Sequence, residues 1–214
     1  MSPPPARDEF TADERAVIEQ CRTPWRTQRW LDSLRYNAEP DGETIRTFRE
    51  VVRTGSAHCL EGALSAATIL ETCGYPPLLL DLESADELDH VAFLFRHRGR
   101  WGCVAKSREP GLGGRKPVYR SVKALALSFY HAYIDATARI TGYGVFDLRT
   151  LPRVDWRLST QNVWKVQDVL IEMPHDPVEV PPERYHWWRD RYLRFKARHP
   201  DREPTYFPSR GAWL

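Results

Sequence analysis

The sequence has no long apolar run and no strong excess of charge of either sign. Nowhere do about 18 apolar residues follow one another, so we expect no membrane-spanning helix. The 31 Lys and Arg residues nearly balance the 29 Asp and Glu residues, and the net charge of +2 argues against binding a polyanion through bulk charge. Hydrophobic residues make up 42% of the chain, which is enough for one globular core and excludes a disordered protein.

Cysteine is also scarce, with four residues: Cys21, Cys59, Cys73 and Cys103. No two of them form a C-x-x-C pair and no histidine stands at zinc-finger spacing, so we expect no structural zinc site. No other pattern points to a metal, a nucleotide or a flavin, and we predict no cofactor. The N-terminus is rich in proline and charge and lacks an apolar signal segment. We therefore expect a cytoplasmic protein whose cysteines are reduced thiols.

One predicted helix stands out because almost every residue on one of its faces is small. The residues that recur at helical spacing are Cys59, Gly62, Ala63, Ala66, Ala67 and Leu70. Such a face lets other backbone approach closely, which suits the centre of a fold. We expect Ser56 to cap this helix, and we expect a preceding helix, capped by Thr44, to end at Gly55.

Three apolar runs follow this helix and predict an antiparallel sheet. They cover residues 78–83, 91–97 and 101–107, and Arg98-Gly99 supplies the turn between the last two. Further along the chain we predict a helix after Ser121 and two short strands, at residues 144–148 and 163–171.

These elements predict an α+β fold in three parts. The parts are an N-terminal tail with helices at residues 1–43, a core at 44–182, and a C-terminal helix and tail at 183–214 that pack on the core. The C-terminal helix has an apolar stripe, with six Lys or Arg residues around it between positions 184 and 198. We interpret it as a docked helix with a solvated face. Binding to nucleic acid or another anionic surface is the alternative, and this helix is the only hint of it.

Cys59 differs from the other cysteines in its position. It lies in the first turn of its predicted helix, where backbone N–H groups and the positive end of the helix dipole stabilise a thiolate. A nucleophilic cysteine needs a base, and packing of the helix on the sheet would bring His90, at the start of the second strand, to Cys59. We exclude His58 as this base, because adjacent residues of a helix point about 100° apart.

These residues resemble the transglutaminase-like branch of the papain-like cysteine enzymes. The matching segments are residues 55–63, the helix up to Gly74, Asp89-His90-Val91 and Arg100-Trp101-Gly102, so the resemblance covers roughly residues 44–135. It implies a papain-like core in which a central cysteine-bearing helix packs on an antiparallel sheet. It also implies acyl chemistry on a peptide or protein amide. Cys59 attacks the carbonyl, His90 carries the proton, and N–H groups at the helix start stabilise the oxyanion.

The family usually completes a catalytic triad with an aspartate, and this sequence departs from the pattern there. At the corresponding offset from Trp101 stands Ala105. We expect Ser107, on the same strand face, to orient His90; Asp81 and the absence of any third residue are the alternatives. The glycine-rich stretch at residues 111–114 is interpreted as a plain loop or as a mobile flap.

Two functions from different classes remain open at this point. The first is a thiol enzyme that hydrolyses or transfers an amide or isopeptide bond through a Cys59 nucleophile and a His90 base. The second is a catalytically silent relative that uses the cleft to bind a peptide or protein. The reactivity of the Cys59 thiol discriminates between them, since only the enzyme needs an activated thiolate.

Overall fold

The α+β class is confirmed by a computed structural model, which describes residues 3–109, 111–202 and 204. Eight α-helices lie within the described residues. They are α1 (Ala12–Gln20), α2 (Pro24–Ser33), α3 (Phe48–Thr54), α4 (Cys59–Glu71), α5 (Val122–Leu127), α6 (Tyr130–Tyr133), α7 (Trp164–Glu172) and α8 (Pro182–Arg198). None of the helices in these ranges is long and apolar enough to cross a membrane.

Two sheets accompany the helices. The smaller one pairs β1 (Arg35–Tyr36) with β2 (Ser56–Ala57) in parallel. The larger one is antiparallel throughout and has the strand order β6-β5-β4-β3-β7-β8. Its strands are β3 (Leu78–Ser84), β4 (His90–His97), β5 (Arg100–Val104), β6 (Arg115–Tyr119), β7 (Ile140–Asp147) and β8 (Asp176–Pro177).

The large sheet separates two layers of core. Successive side chains of a strand point to opposite faces, so Leu79 and Phe93 pack with α4 while Leu80 and Leu94 pack with α5 and α6. Helix α7 joins the first layer. Helix α8 lies against the second layer, where its Trp188 stacks on a histidine ring of α6 with 4.2 Å between the ring centroids. The part of the predicted C-terminal tail beyond residue 204 lies outside the described residues.

The turn between β4 and β5 forms where the sequence predicts it. Arg98 and Gly99 both have positive φ angles, of 48° and 76°, as a two-residue hairpin turn between twisted strands requires. Gly55 ends α3 in the left-handed conformation, also as expected, and its N–H donates to the carbonyl of Val51.

Helix α4 lies unusually close to the chain that follows β5. A Cβ atom built on Gly62 would come 2.6 Å from the Cβ of Lys106, nearer than two such atoms can approach. Lys106 itself is buried, and its ammonium donates to the carbonyls of Leu31 and Leu34 at the end of α2. The small face predicted for this helix is therefore used for close packing against both a helix and the sheet.

Two predictions about the elements before Cys59 are wrong. Thr44 does not cap α3, because its hydroxyl donates to the carboxylate of Glu61, 2.8 Å away, and α3 starts only at Phe48. Ser56 does not cap α4, because it belongs to β2, which pairs with β1. His58 takes the capping position instead.

The strand predicted at residues 163–171 is also wrong, since this segment forms α7. Its buried side chains are Val163, Val166 and Leu170, and their spacing of three and four residues is that of one helix face. The apolar residues between Val166 and Ile171 suggest a strand only if the three- and four-residue spacing of the buried side chains is not considered.

We predict that Gly62→Ala lowers the free energy of unfolding. The new methyl group would collide with the Cβ of Lys106, and we expect a net loss of about 1–2 kcal/mol after the gain in helix propensity. The measurement is urea unfolding followed by circular dichroism. The matched control is Gly113→Ala, because nothing lies within 4 Å of the added Cβ there. A Gly62→Ala protein as stable as its parent would contradict the close packing of α4.

Candidate active site

A cavity of about 500 Å³ opens at the N-terminal end of α4. The three residues predicted for the site, Cys59, His90 and Ser107, all line it. Residues from the loop between β3 and β4 and from the α6 region form other parts of its wall. The described residues contain no cluster of His, Cys, Asp and Glu that could hold a metal ion.

Cys59 is the first residue of α4, and the groups around it change the pKa of its thiol in the opposite direction from those of Cys21 and Cys103. Burial by itself would raise the pKa of its thiol, but hydrogen bonds from His58 and His90, and the charges of their rings, bring that pKa down to about 5. Burial raises the pKa of Cys21 to about 11 and that of Cys103 to about 12. Only Cys59 among these three is therefore a thiolate at neutral pH.

His90 begins β4, and its ring is fixed by a backbone carbonyl. Its Nε2 lies 2.9 Å from the oxygen of Leu112, so Nε2–H donates to that oxygen. This bond leaves Nδ1 as the nitrogen that can accept a proton from Cys59. The aromatic ring of Phe129 packs beside the imidazole, with 5.9 Å between the ring centroids.

Ser107 does not hold the role predicted for it. Its hydroxyl oxygen accepts a hydrogen bond of 3.0 Å from the N–H of Glu109, and the orienting bond to His90 comes from Leu112 instead. A carbonyl selects the required tautomer of the imidazole as a carboxylate would. Because it carries no full charge, it stabilises the imidazolium less than an aspartate would.

The loop that supplies this carbonyl is held by a buried arginine. Arg115 donates to the oxygen of Gly113 at 2.6 Å and to that of Gly111 at 2.5 Å. Its guanidinium carbon lies 3.9 Å from the ring centroid of Phe129, which in turn contacts His90. Arg115 also donates to the oxygen of Gly114 at 3.3 Å, so three carbonyls of the glycine-rich stretch, on both sides of Leu112, are tied to it, and the stretch acts as part of the support for His90.

His58 is a second histidine beside Cys59. The sequence argument that excludes it as the base, which assumes that both residues are helical, is wrong. It precedes α4 in an extended conformation, with φ of −91° and ψ of −171°, so the angle between adjacent helical residues does not apply. Its Nδ1 accepts from the N–H of Leu60 at 3.2 Å, and its Nε2 lies 2.7 Å from the carbonyl oxygen of Thr44. The ring is thus the N-cap of α4.

These contacts decide between the two histidines as the base. A proton on Nδ1 of His58 would displace the N–H of Leu60 and remove the cap. His58 has both ring nitrogens engaged, whereas His90 has Nδ1 open, so His90 is the better base.

A buried carboxylate anchors the start of α4. Glu61 is fully buried and accepts hydrogen bonds from Thr44 Oγ1 and Arg46 Nε, both at 2.8 Å, and from Asn37 Nδ2 and the His58 N–H, both at 3.1 Å. Burial would raise its pKa, but His58 and these hydrogen bonds keep it below the usual range. The carboxylate therefore ties the first turn of α4 to the loop before α3.

The first turn of α4 also supplies an N–H group for an oxyanion. The N–H of Leu60 is taken by His58, whereas the N–H of Cys59 makes no hydrogen bond within the part of the chain that the structure describes. An amide at the positive end of a helix, next to the sulfur, is suited to stabilise the negative oxygen that forms when the thiolate attacks a carbonyl.

A buried Asp81–His175 pair lies beside the site and was not predicted. Asp81, on β3, lines the cavity, and its Oδ2 accepts from Nε2 of His175 at 2.9 Å. Burial raises the pKa of Asp81 to about 6, although this hydrogen bond lowers it. His175 fits there because Gly144 of β7, the partner of Asp81 in the sheet, has no side chain. Alternate glycines in the segment Thr141-Gly142-Tyr143-Gly144 are the signal that one face of this strand is covered by something else.

The chain was compared with family models and with curated proteins. No family model matches it, and no curated protein matches its sequence. The resemblance to transglutaminase-like enzymes therefore depends on the residues of the site.

We predict that Cys59 reacts with iodoacetamide at a nearly constant rate from neutral pH down to about pH 6, and that the rate falls by half near its pKa of about 5. The thiolate is the reactive form and is lost only when the pH drops below that value. Peptide mass spectrometry resolves the modification of each cysteine, and Cys59→Ser is the control. A midpoint near 8, the value of an ordinary thiol, would contradict the activated state.

We predict unequal effects of the two histidines on this pH profile. His90→Ala removes a hydrogen-bond donor and a positive charge, and should move the midpoint for Cys59 upward by about 1–3 pH units. His58→Asn also removes a ring that lowers the pKa of Cys59, but it keeps an N-cap oxygen at the start of α4, so we expect it to move the midpoint less. The same alkylation assay measures both variants, and thermal unfolding verifies that each is folded. A larger shift in His58→Asn than in His90→Ala would assign the base to His58.

Proposed function

We propose that the protein is a transglutaminase-like thiol enzyme that acts on an amide or isopeptide bond of a peptide or protein. The observation that carries this proposal is the low pKa of Cys59 at the start of α4, within hydrogen-bonding reach of His90 and inside a cavity. A binding module has no need of an activated thiolate, so this feature favours the enzyme over the silent alternative.

The proposed reaction follows from the contacts of the site. The Cys59 sulfur attacks the substrate carbonyl carbon, and the N–H of Cys59 stabilises the oxyanion. His90 gives its Nδ1 proton to the leaving amine as the C–N bond breaks, which leaves a thioester on Cys59. Water or a second amine then attacks the thioester carbon, loses a proton to His90 and releases the thiolate. Water gives hydrolysis and an amine gives acyl transfer.

The state of the cysteines and the form of α8 agree with this proposal. None of the four cysteines forms a disulfide, so the thiol of Cys59 is free to act as a nucleophile. Helix α8 uses Tyr185 and Trp188 for packing on the second core layer.

The test is the formation of an acyl-enzyme on Cys59. We expect p-nitrophenyl acetate to release a burst of p-nitrophenol and to leave an acetyl group on the peptide that contains Cys59. Cys59→Ser should abolish the acylation, and His90→Ala should lower its rate constant by about 100-fold or more near neutral pH. The products distinguish transfer from hydrolysis: acyl transfer to added hydroxylamine gives the hydroxamate, and hydrolysis gives the free acid.

Two outcomes would overturn the proposal. One is a native protein that forms no acyl-enzyme although its thiol is accessible to iodoacetamide. The other is acylation that persists at the same rate in His90→Ala, which would show a merely exposed thiol. Peptide amides tested on the native protein then establish whether amide bonds are cleaved as well as the activated ester.

A further inference from the structure

The wall of the active-site cavity is strongly acidic. Arg108 is the only Lys or Arg among the described residues that line it, and its Nε is 3.0 Å from a carboxylate oxygen of Glu109. Outside that pair the wall carries six acidic residues, which are Glu39, Asp81, Asp86, Glu87, Asp89 and Asp135. The two histidines at Cys59 do not balance this charge. A cavity with such a wall concentrates cations and repels anions.

Asp81 has an oxygen with no partner. The residue is only 1% exposed, and its Oδ2 is bound by His175. Its Oδ1 is buried and has no hydrogen-bond partner among the described residues. Leaving such an acceptor unsatisfied costs about 1–3 kcal/mol or more for a charged group, so the position calls for a donor that the protein does not supply.

The surroundings of Asp81 favour a cationic donor over a neutral one. The negative charge of Asp89 and that of the Cys59 thiolate both act on Asp81. The Oδ1 of Asp89 accepts a hydrogen bond of 2.7 Å from the N–H of Ser84. Asp89 therefore contributes negative charge to the cavity, but this oxygen is not available to a ligand. A positive group beside Asp81 would relieve the repulsion among these three negative groups.

We propose that Asp81 is a specificity residue that binds a primary ammonium group of the substrate. The inference rests on the proposed function in that it concerns the same cavity. The ammonium donates one N–H to Oδ1, while His175 holds the carboxylate from the other side. A guanidinium group fits less well, because its fork needs both carboxylate oxygens and Oδ2 is taken.

The proposal gives the site a defined substrate class. The substrate carries an amide or isopeptide bond at Cys59 and an ammonium group at Asp81, as a basic peptide or a small amine-bearing amide does. Asp81 acts on binding and takes no part in proton transfer at the sulfur. His175 is a positioning residue, since it touches only the carboxylate.

The first test compares the charge preference of Cys59 towards three thiol reagents. These are 2-aminoethyl, methyl and 2-sulfonatoethyl methanethiosulfonate, which are cationic, neutral and anionic. The rate constant of each reagent with Cys59 is measured by peptide mass spectrometry. The rate constant of each charged reagent is then divided by that of the neutral reagent. We expect the cationic reagent to be favoured over the anionic one in the native protein.

Two variants assign this preference to Asp81. Asp81→Asn keeps the shape and the bond to His175, and should lower the ratio of cationic to anionic rate constants by about tenfold. Glu87→Gln removes one charge from the same wall without touching the buried oxygen. It should change the ratio by less than about twofold, because a charge at the solvent-exposed rim is screened.

A titration of the native protein decides the question if Asp81→Asn does not fold or if Cys59 does not react. We expect n-butylammonium, followed by NMR, to shift signals of cavity residues at concentrations at which n-butanol shifts none. Equal effects of the two compounds would overturn the proposal, as would an unchanged reagent ratio in a folded Asp81→Asn. Failure of Cys59 to react with the neutral reagent counts against the proposed enzyme function alone.

Discussion

The close packing of α4 is the constraint on which the site depends. Its inner face carries glycine and alanine where most helices carry larger side chains, and Gly62 leaves just enough space for the side chain of Lys106. The buried carboxylate of Glu61 then ties the first turn to the preceding loop. Together these contacts set where the sulfur of Cys59 lies relative to the start of β4. A looser helix would leave a thiol and an imidazole too far apart to share a proton.

The electrostatics of the cavity combine two opposing requirements. The acidic wall disfavours a thiolate, because Asp81 and Asp89 lie near enough to feel its charge. Hydrogen bonds from the two histidines and the helix N-terminus outweigh this effect and keep the pKa of Cys59 low. A thiolate inside a negative cavity is therefore stabilised locally while the cavity as a whole still attracts cations. This combination suits a nucleophile whose substrate carries a positive charge.

Much of the position of Cys59 follows from local sequence pattern. The helix with Cys59 in its first turn, the strand that begins at His90 and the turn at Arg98-Gly99 are each specified by neighbouring residues, and each forms as predicted, although the helix begins at Cys59 and its cap is His58 rather than Ser56. The role of His58 was missed because it depends on where the helix starts, and helix ends are poorly specified by periodicity. The strand predicted at residues 163–171 is wrong because a short apolar run is compatible with both a strand and a helix. Only the spacing of its polar residues distinguishes the two.

The support of the site comes from contacts that no local pattern encodes. The oxygen that orients His90 belongs to the backbone of Leu112, 22 residues away, and any residue type at that position supplies the same carbonyl. His175 reaches Asp81 across 94 residues of chain, over a strand whose glycines make room for it. The sequence by itself determined that Cys59 would lie in the first turn of a small-faced helix and that His90 would open a strand. Only the tertiary structure decided which groups surround them, because backbone carbonyls and distant side chains are brought together by packing and leave no periodic signal along the chain.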